Sequence, residues 1–419
     1  MDHQEIPPLI KKESVYLNCI FKNKRKMTSK KHVNSKIKLV QIIAEIDAIG
    51  GGPKHVLGIL NNIDQTKFDL FLICPAGELS SEAKNIKGIE VLNVDMDSKF
   101  NLSAILKIRK YLSQIQAKGN PFGPMIVHTH GPRAGLLGRE SIKAGMISVY
   151  TEHIWGPGYH LENRFNEILQ KRMLKRLNLK THLVIAVSNA VKKYLIDEKL
   201  ALEERVIVIP NGITITSNLK PPRFAKAPRD RQTSKIRSRN YNNQIIGTVG
   251  SLKKIKGQIF LIQAMPEVIK KFPHLMLEIV GEGEERENLQ SQISNLKIER
   301  HVTLLGKKNH IEEIISRWSV FVLPSIAETF GISILEANAA GVPVVASGVG
   351  GVADIIKDQK TGILIEPEKP HQIAKAIIKL LEHPAYAAKL ARGGREKVRE
   401  FEWKKVIGQL EKAYLKLVK

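Results

Sequence analysis

The 419-residue sequence predicts an α/β protein built from two Rossmann-like parallel-sheet domains that face each other across a cleft. Three observations predict it. Short apolar runs alternate with amphipathic stretches, the pattern of a parallel sheet flanked by helices. That pattern stops at a basic stretch rich in Pro, Ser and Asn, residues 216–243, and then restarts. Hydrophobic residues make up 43% of the chain and charged residues 26%, so each half can close its own core.

The elements follow in order. Residues 37–46 form a nearly continuous apolar run and read as a buried strand. Gly50-Gly51-Gly52-Pro53 then makes a tight turn, with Pro53 suited to the first position of a helix that runs on from Lys54. Residues 68–74 are a second strand. Residues 102–115 carry Leu102, Ile105, Leu106, Leu112 and Ile115 at helical spacing. Strands at 125–128 and 148–153 run into histidine-bearing loops, and 164–179 is helical. The strand at 183–187 meets Ser188-Asn189, a helix cap. The strand at 206–209 ends at the turn Pro210-Asn211-Gly212. After the basic stretch, strands are expected at 245–249, 275–280, 301–305, 320–323, 342–346 and 362–365. Helices are expected at 258–271, 284–296 and 332–339, with further helices to the C-terminus.

The division is therefore a basic, disordered extension at 1–36, a first domain at 37–215, a basic linker at 216–243 and a second domain at 244–400. A final helix at 401–419 is expected to return toward the first domain. No run of about 18–20 apolar residues is present, which excludes a membrane-spanning helix. The first residues do not read as a secretory signal, and Met27 is an alternative start. Cys19 and Cys74 are the sole cysteines, so neither a disulfide framework nor a cysteine zinc site is available. A cytoplasmic location fits, peripheral on the inner face of a membrane.

Lys and Arg number 66 against 41 Asp and Glu, a formal net charge of +25. Such a field attracts nucleic acid, lipid headgroups or phosphorylated small molecules. More than half of the excess lies in the extension and the linker. Neither interleaves aromatics with its cations, so nucleic acid is a poor partner. The stretch 164–180 is also basic, opposed only by Glu167. Its Phe165, Ile168, Leu169, Met173 and Leu177 fall on one helical face, which either packs into the core or lies on an anionic bilayer.

The most informative stretch is 323–345. A strand ends at Pro324, a loop carries Glu328, and Glu336 lies inside the helix that follows. Carboxylates eight residues apart sit about 10–12 Å apart if the span is mostly helical. Each can accept two adjacent sugar hydroxyls, one on a hexose and one on a ribose. The amides of Phe330, Gly331 and Ile332 would face a diphosphate between them. Gly51 and Gly52 allow close backbone approach to a ligand. His128 and His130 read as structural and no metal site is expected. Glu282, Glu284 and Glu285 would repel a pyrophosphate at Gly281-Glu282-Gly283, which removes a nicotinamide reading.

This stretch resembles the E-x7-E signature of retaining GT-B glycosyltransferases of family 4 (glycosyl transferases group 1). The loop 250–257 is similar to that family's G-R-L-x-x-x-K-G loop, with Ser251 where the family has Arg. Leu277 to Gly283, Val302 to Gly306 and Gly341 to Gly351 also resemble it. So do Gly51-Gly52, His128-Thr-His130, Thr151-Glu152-His153, Val187-Ser188 and Pro210-Asn211-Gly212 in the first half. The resemblance implies a GT-B fold in which the second domain binds a nucleotide diphosphate sugar, UDP-linked in most of the family. The first domain would bind a lipid-linked or glycan acceptor. Glu328 would hold the transferred hexose, Glu336 the ribose, and Lys256 the diphosphate. His153 would stand at the active site, titrating near neutrality. Ser188, Ser251, Lys253, Lys254 and Gly306 are secondary donor-side candidates, with Lys253 or Lys254 replacing the absent Arg. No cofactor is implied, the nucleotide sugar being a co-substrate. Retention would come from front-face attack, since no cleft carboxylate of the first half stands out as a nucleophile. Two other readings share the fold: an epimerase acting on UDP-N-acetylglucosamine, and a catalytically silent nucleotide-sugar scaffold.

Overall fold

A computed structural model describes residues 36–48, 50–98, 101–161, 163–215 and 244–419. The basic extension up to residue 35, the linker, Cys19 and Met27 lie outside the described residues.

The first domain runs β1 (Ile37–Ile43), α1 (Gly51–Asn62), β2 (Phe68–Cys74), α2 (Glu78–Lys84), β3 (Ile89–Asn93), α3 (Leu102–Ala117), β4 (Met125–His130), α4 (Gly131–Ser141), β5 (Ile147–Glu152), α5 (Arg164–Asn178), β6 (Leu183–Ala186), α6 (Asn189–Asp197) and β7 (Val206–Val208). Its seven strands are all parallel, in the order β3-β2-β1-β4-β5-β6-β7. The second domain runs β8 (Ile245–Val249), α7 (Gln258–Lys271), β9 (Met276–Val280), α8 (Arg286–Asn295), β10 (Val302–Gly306), α9 (Ile311–Ser316), β11 (Val320–Leu323), α10 (Ile332–Ala340), β12 (Val344–Ser347), α11 (Val352–Ile355), β13 (Ile363–Ile365), α12 (Pro370–Glu382) and α13 (Pro384–Lys397). Its six parallel strands take the order β10-β9-β8-β11-β12-β13. In each sheet the order reverses beside the first strand, between β1 and β4 and between β8 and β11. A crevice opens at such a switch point, beyond the carboxyl ends of the strands.

The chain crosses back at its end. Ile213 N–H donates to the Phe401 carbonyl at 2.9 Å, and Trp403 N–H donates to the Ile213 carbonyl at 3.2 Å. The last helix, α14 (Trp403–Leu417), then lays Trp403, Val406, Ile407, Leu410 and Tyr414 into the core of the first domain. Gly58 on α1 is required there, because a Cβ would stand 1.8 Å from the Trp403 ring.

The sequence reading assigns no element to α2, β3, α4 or α9, and it leaves the apolar face of α5 open. Helix α4 carries Gly131, Gly135 and Gly138, which weaken any helical signal. Those glycines let it lie close on the sheet: a Cβ on Gly135 would meet the Tyr150 ring at 2.7 Å. Helix α5 divides the apolar face for which the sequence left core packing and bilayer contact open. Leu174 and Leu177 are in the core, but Phe165 is 73% exposed, Ile168 45% and Leu169 42%. Those three share a face with exposed Arg172 and Arg176, so the amphipathic stripe points outward. Among the described residues, no helix is long and apolar enough to cross a membrane.

Candidate active site

The two domains enclose a cleft of about 570 Å³, within the usual range for a small-molecule site. Its walls come from the ends of β1, β4 and β5 on one side and of β8, β9 and β11 on the other.

Glu328 and Glu336 both line the cleft. Pro324 closes β11, and the loop that follows holds Glu328 by its backbone: Gly351 N–H donates to the Glu328 carbonyl at 3.0 Å. Gly350 sits in the left-handed region at φ 51°, where a Cβ would meet that carbonyl at 1.8 Å. The Glu328 carboxylate accepts from Lys256 Nζ at 2.7 Å. Helix α10 opens at Ile332 behind Gly331, itself left-handed at φ 99°, and no side chain caps it. Ile334 N–H turns back to the Gly331 carbonyl at 2.9 Å, while Phe330, Gly331, Ile332 and Ser333 at this helix start line the cleft. The Phe330 ring points away, packed edge-on against Phe401. Glu336 is 5% exposed and accepts from Lys54 Nζ at 2.5 Å. Desolvation pushes the Glu336 carboxyl above the usual range, and Lys54 pulls the other way.

Across the cleft, Gly51 stands so near α10 that a Cβ would lie 3.3 Å from Ile332 Cδ1. Gly52 lines the same wall, and α1 begins at Gly51 with no side-chain cap. His153 follows β5 and also lines the cleft. Its carbonyl accepts from Thr329 Oγ1 at 2.8 Å.

The histidines form one hydrogen-bonded set. His130 Nε2 lies 2.6 Å from Gln41 Oε1, so it carries the proton and donates to the amide oxygen. His130 Nδ1 must then accept, and it takes the Nε2–H of His153 at 3.3 Å. This leaves His153 Nδ1 as a lone pair. Gln41 Nε2 donates to Tyr414 Oη at 3.4 Å, and Tyr414 donates to His128 Nδ1 at 2.6 Å. His128 Nε2 donates to Thr151 Oγ1 at 2.6 Å. His55, His130 and His153 bring ring nitrogens within 4.8 Å of one another. Both nitrogens of His130 are already committed; His153 stacks on it at 28°, and His55 meets His130 tilted at 60° and His153 edge-on at 71°.

Burial alters one expectation. It pushes His153 down to about 4 and His128 to about 3. His153 is therefore neutral at pH 7, against the expectation that it titrates near neutrality.

Other sequence candidates lie elsewhere. Ser188 is wholly buried outside the cleft; it caps α6 by accepting from Val191 N–H at 3.2 Å and donates to the Thr329 carbonyl at 2.7 Å. Lys253 and Lys254 point to solvent on the turn before α7, and neither lines the cleft. Gly306 closes β10 at φ 75° just outside it, its carbonyl accepting from Gly281 N–H at 3.0 Å. Ser251 does line the cleft and brings no charge. The further cations there are Lys54, Lys307 and Lys308. Lys307 bridges to Asp47 and Glu78, each at 3.2 Å. Glu45 and Asp47 also line the first-domain wall, so that half does present carboxylates to the cleft. Of these, Lys54 had a signal in its place directly after Gly-Gly-Pro; Lys307 and Glu45 had none.

Two family models match this chain. Glycosyltransferase Family 4 matches residues 49–217, and Glycosyl transferases group 1 matches residues 230–397. An Escherichia coli protein named UDP-Gal:alpha-D-GlcNAc-diphosphoundecaprenol alpha-1,3-galactosyltransferase is 26% identical over 368 residues, 84% of this chain and 90% of that one. The phosphatidyl-myo-inositol mannosyltransferase of Mycobacterium leprae is 30% identical over 55% of this chain and 58% of that one. Among solved structures, Anabaena HepE in complex with UDP and glucose superposes with a TM-score of 0.72 at 21% identity, covering 90% of this chain and 99% of that one. With the two models placed on the two domains and the architecture shared end to end, the chain belongs to the GT-B glycosyltransferases of family 4.

Proposed function

We propose that this protein transfers a hexose from a UDP-sugar to a lipid-linked or glycan-precursor acceptor, with retention of anomeric configuration. The observation that carries this reading is the pair Glu328 and Glu336, each nearly buried, each lining one cleft and each held by a lysine. Glu336 takes the ribose diol and Glu328 the hydroxyls of the hexose, since each carboxylate can accept two neighbouring hydroxyls. The first-turn amides of α10 and Lys256 receive the diphosphate, which gains charge as it leaves. The bond from the anomeric carbon to the β-phosphate oxygen breaks. The acceptor oxygen bonds the same face, and its proton passes to the departing phosphate. The neutral His153 offers its Nδ1 lone pair to a donor hydroxyl and keeps the hexose oriented. Fixed lysines and amides supply the charge, so the reaction needs no cofactor or metal. UDP and a lipid-diphosphate acceptor are supported by the name of the Escherichia coli relative.

The same reading places the reaction at the inner face of an anionic membrane, in the cytoplasm. Its support is the outward stripe of Phe165, Ile168 and Leu169 flanked by Arg172 and Arg176. The decisive experiment measures product from a panel of nucleotide sugars with wild type and with Glu328→Ala. Loss of transfer in a variant that melts normally is the expected result. Near-wild-type turnover would remove the central assignment.

A further inference from the structure

Among the described residues, two lysines make three ion pairs across the cleft. Lys307 reaches Asp47 and Glu78 at the exposed rim, while Lys54 reaches Glu336 inside. The inner one has a consequence for the donor. Lys54 lies in the first turn of α1, next to the uncapped amides of Gly51 and Gly52, and its side chain is 35% exposed. Lys256 and Glu328 are joined within the second domain, so their charges cancel locally. Glu336 and Lys54 cancel in the same way across the gap.

We propose that Lys54 is a diphosphate ligand supplied by the first domain, parked on Glu336 while the site is empty and handed to the phosphates when the ribose takes Glu336. This rests on the assignment of Glu336 to the ribose. A ribose diol brings no positive charge, so its arrival deprives the Lys54 ammonium of its partner in a partly dehydrated place. The donor brings a dianion to the same place, and the positive end of α1 lies beside it. Charge counting points the same way. With Lys54 present, those four groups sum to zero, and without it they sum to −1; Lys307, Lys308, Glu45, Asp47 and Glu282 on the rest of the lining add a further −1 in either case. Ser251 on the cleft floor adds no cation. Lys54 thus opposes Lys256 from the far wall, and donor binding ties the first domain to the second through the phosphates.

The handover separates phosphate from nucleoside binding, which a purely structural lysine would not do. Calorimetric titration of wild type and Lys54→Met with UDP and with uridine reads that split, with the GDP–guanosine and ADP–adenosine pairs run alongside. The expected result is a loss of about tenfold or more in UDP affinity, the size of a charge-assisted hydrogen bond. Uridine affinity should hold or rise, because no lysine has to be displaced from Glu336. Lys54→Arg should keep UDP affinity near wild type. If Lys54→Met does not fold because Glu336 is left buried and unpaired, Lys54→Met/Glu336→Gln measured against Glu336→Gln reads the same ratio. Equal loss of UDP and uridine, or no loss of either, overturns the inference and leaves the donor assignment standing. Wild-type protein that binds each diphosphate no better than its nucleoside overturns the donor assignment, and the inference with it.

Discussion

His130 and His153 meet with rings stacked at 28° and Nδ1 to Nε2 at 3.3 Å, so His153 at the cleft is oriented by a second lining ring whose nitrogens are both bonded inward. Behind His130 stands Gln41 on β1, and behind Gln41 stands Tyr414 on the last helix of the chain. The proton positions along this path are set by the amide of Gln41, which accepts on one side and donates on the other.

Gln41→Leu removes the acceptor that fixes the His130 proton on Nε2. The His153 lone pair is then no longer held toward the cleft. Turnover is expected to fall about tenfold or more with little change in donor KM, and Gln41→Glu is expected to restore part of it. Nitrogen NMR of the histidine side chains checks the tautomer directly. An unchanged tautomer pattern in Gln41→Leu would count against the arrangement.

The buried histidines make stability sensitive to mild acid. His153 and His128 titrate in the folded state at about 4 and about 3, below their ordinary 6.5, and burial also holds His55 and His130 well below it. The unfolded chain therefore binds more protons than the native one from about pH 6.5 downward. Their stabilising contribution is complete above that pH and is lost as pH falls toward 4. Each group contributes up to about 1.4 kcal/mol per pH unit in this window. Denaturant unfolding at pH 7, 6 and 5 should show the decline, and His128→Asn should make it shallower. Equal stability at pH 7 and 5 would contradict the assignment.

Ser188→Ala removes a helix cap and a bond to the Thr329 carbonyl, but no cleft contact. A cost of about 0.5–2 kcal/mol in unfolding free energy is expected. UDP affinity should stay within twofold of wild type. A large loss of affinity would return Ser188 to the donor site.

Gly58→Val drives a side chain into the Trp403 ring. Overpacking of this kind costs about 1–3 kcal/mol and should loosen α14 from α1. Hydrogen exchange along residues 403–417 should rise in the variant. Unchanged exchange there would show that α14 is held without this contact.

The outward stripe of α5 predicts binding to vesicles that contain anionic phospholipid, weakening as salt rises. Phe165→Ser with Leu169→Ser should lower partition by tenfold or more, since each fully buried side chain of this kind is worth about 1.5–3 kcal/mol. Neither side chain lines the cleft, so turnover on a soluble acceptor should be unaffected. Equal binding of wild type and variant would refute the docking role.

The sequence by itself determined the α/β class, the family and most strands, because parallel strands buried on both faces leave continuous apolar runs. It also marked Glu328 and Glu336, which share one strand–loop–helix segment whose geometry is local. The glycine-rich α4 escaped it, since its helicity comes from packing rather than propensity. Only the tertiary structure could join Lys54 to Glu336, 282 residues apart, or Gln41 to Tyr414, 373 apart. The placement of Lys253 and Lys254 was decided there as well, as was the neutral state of His153. Charge type and spacing are read along the chain, but pairing and desolvation depend on what the folded second domain and the returning last helix bring to the first.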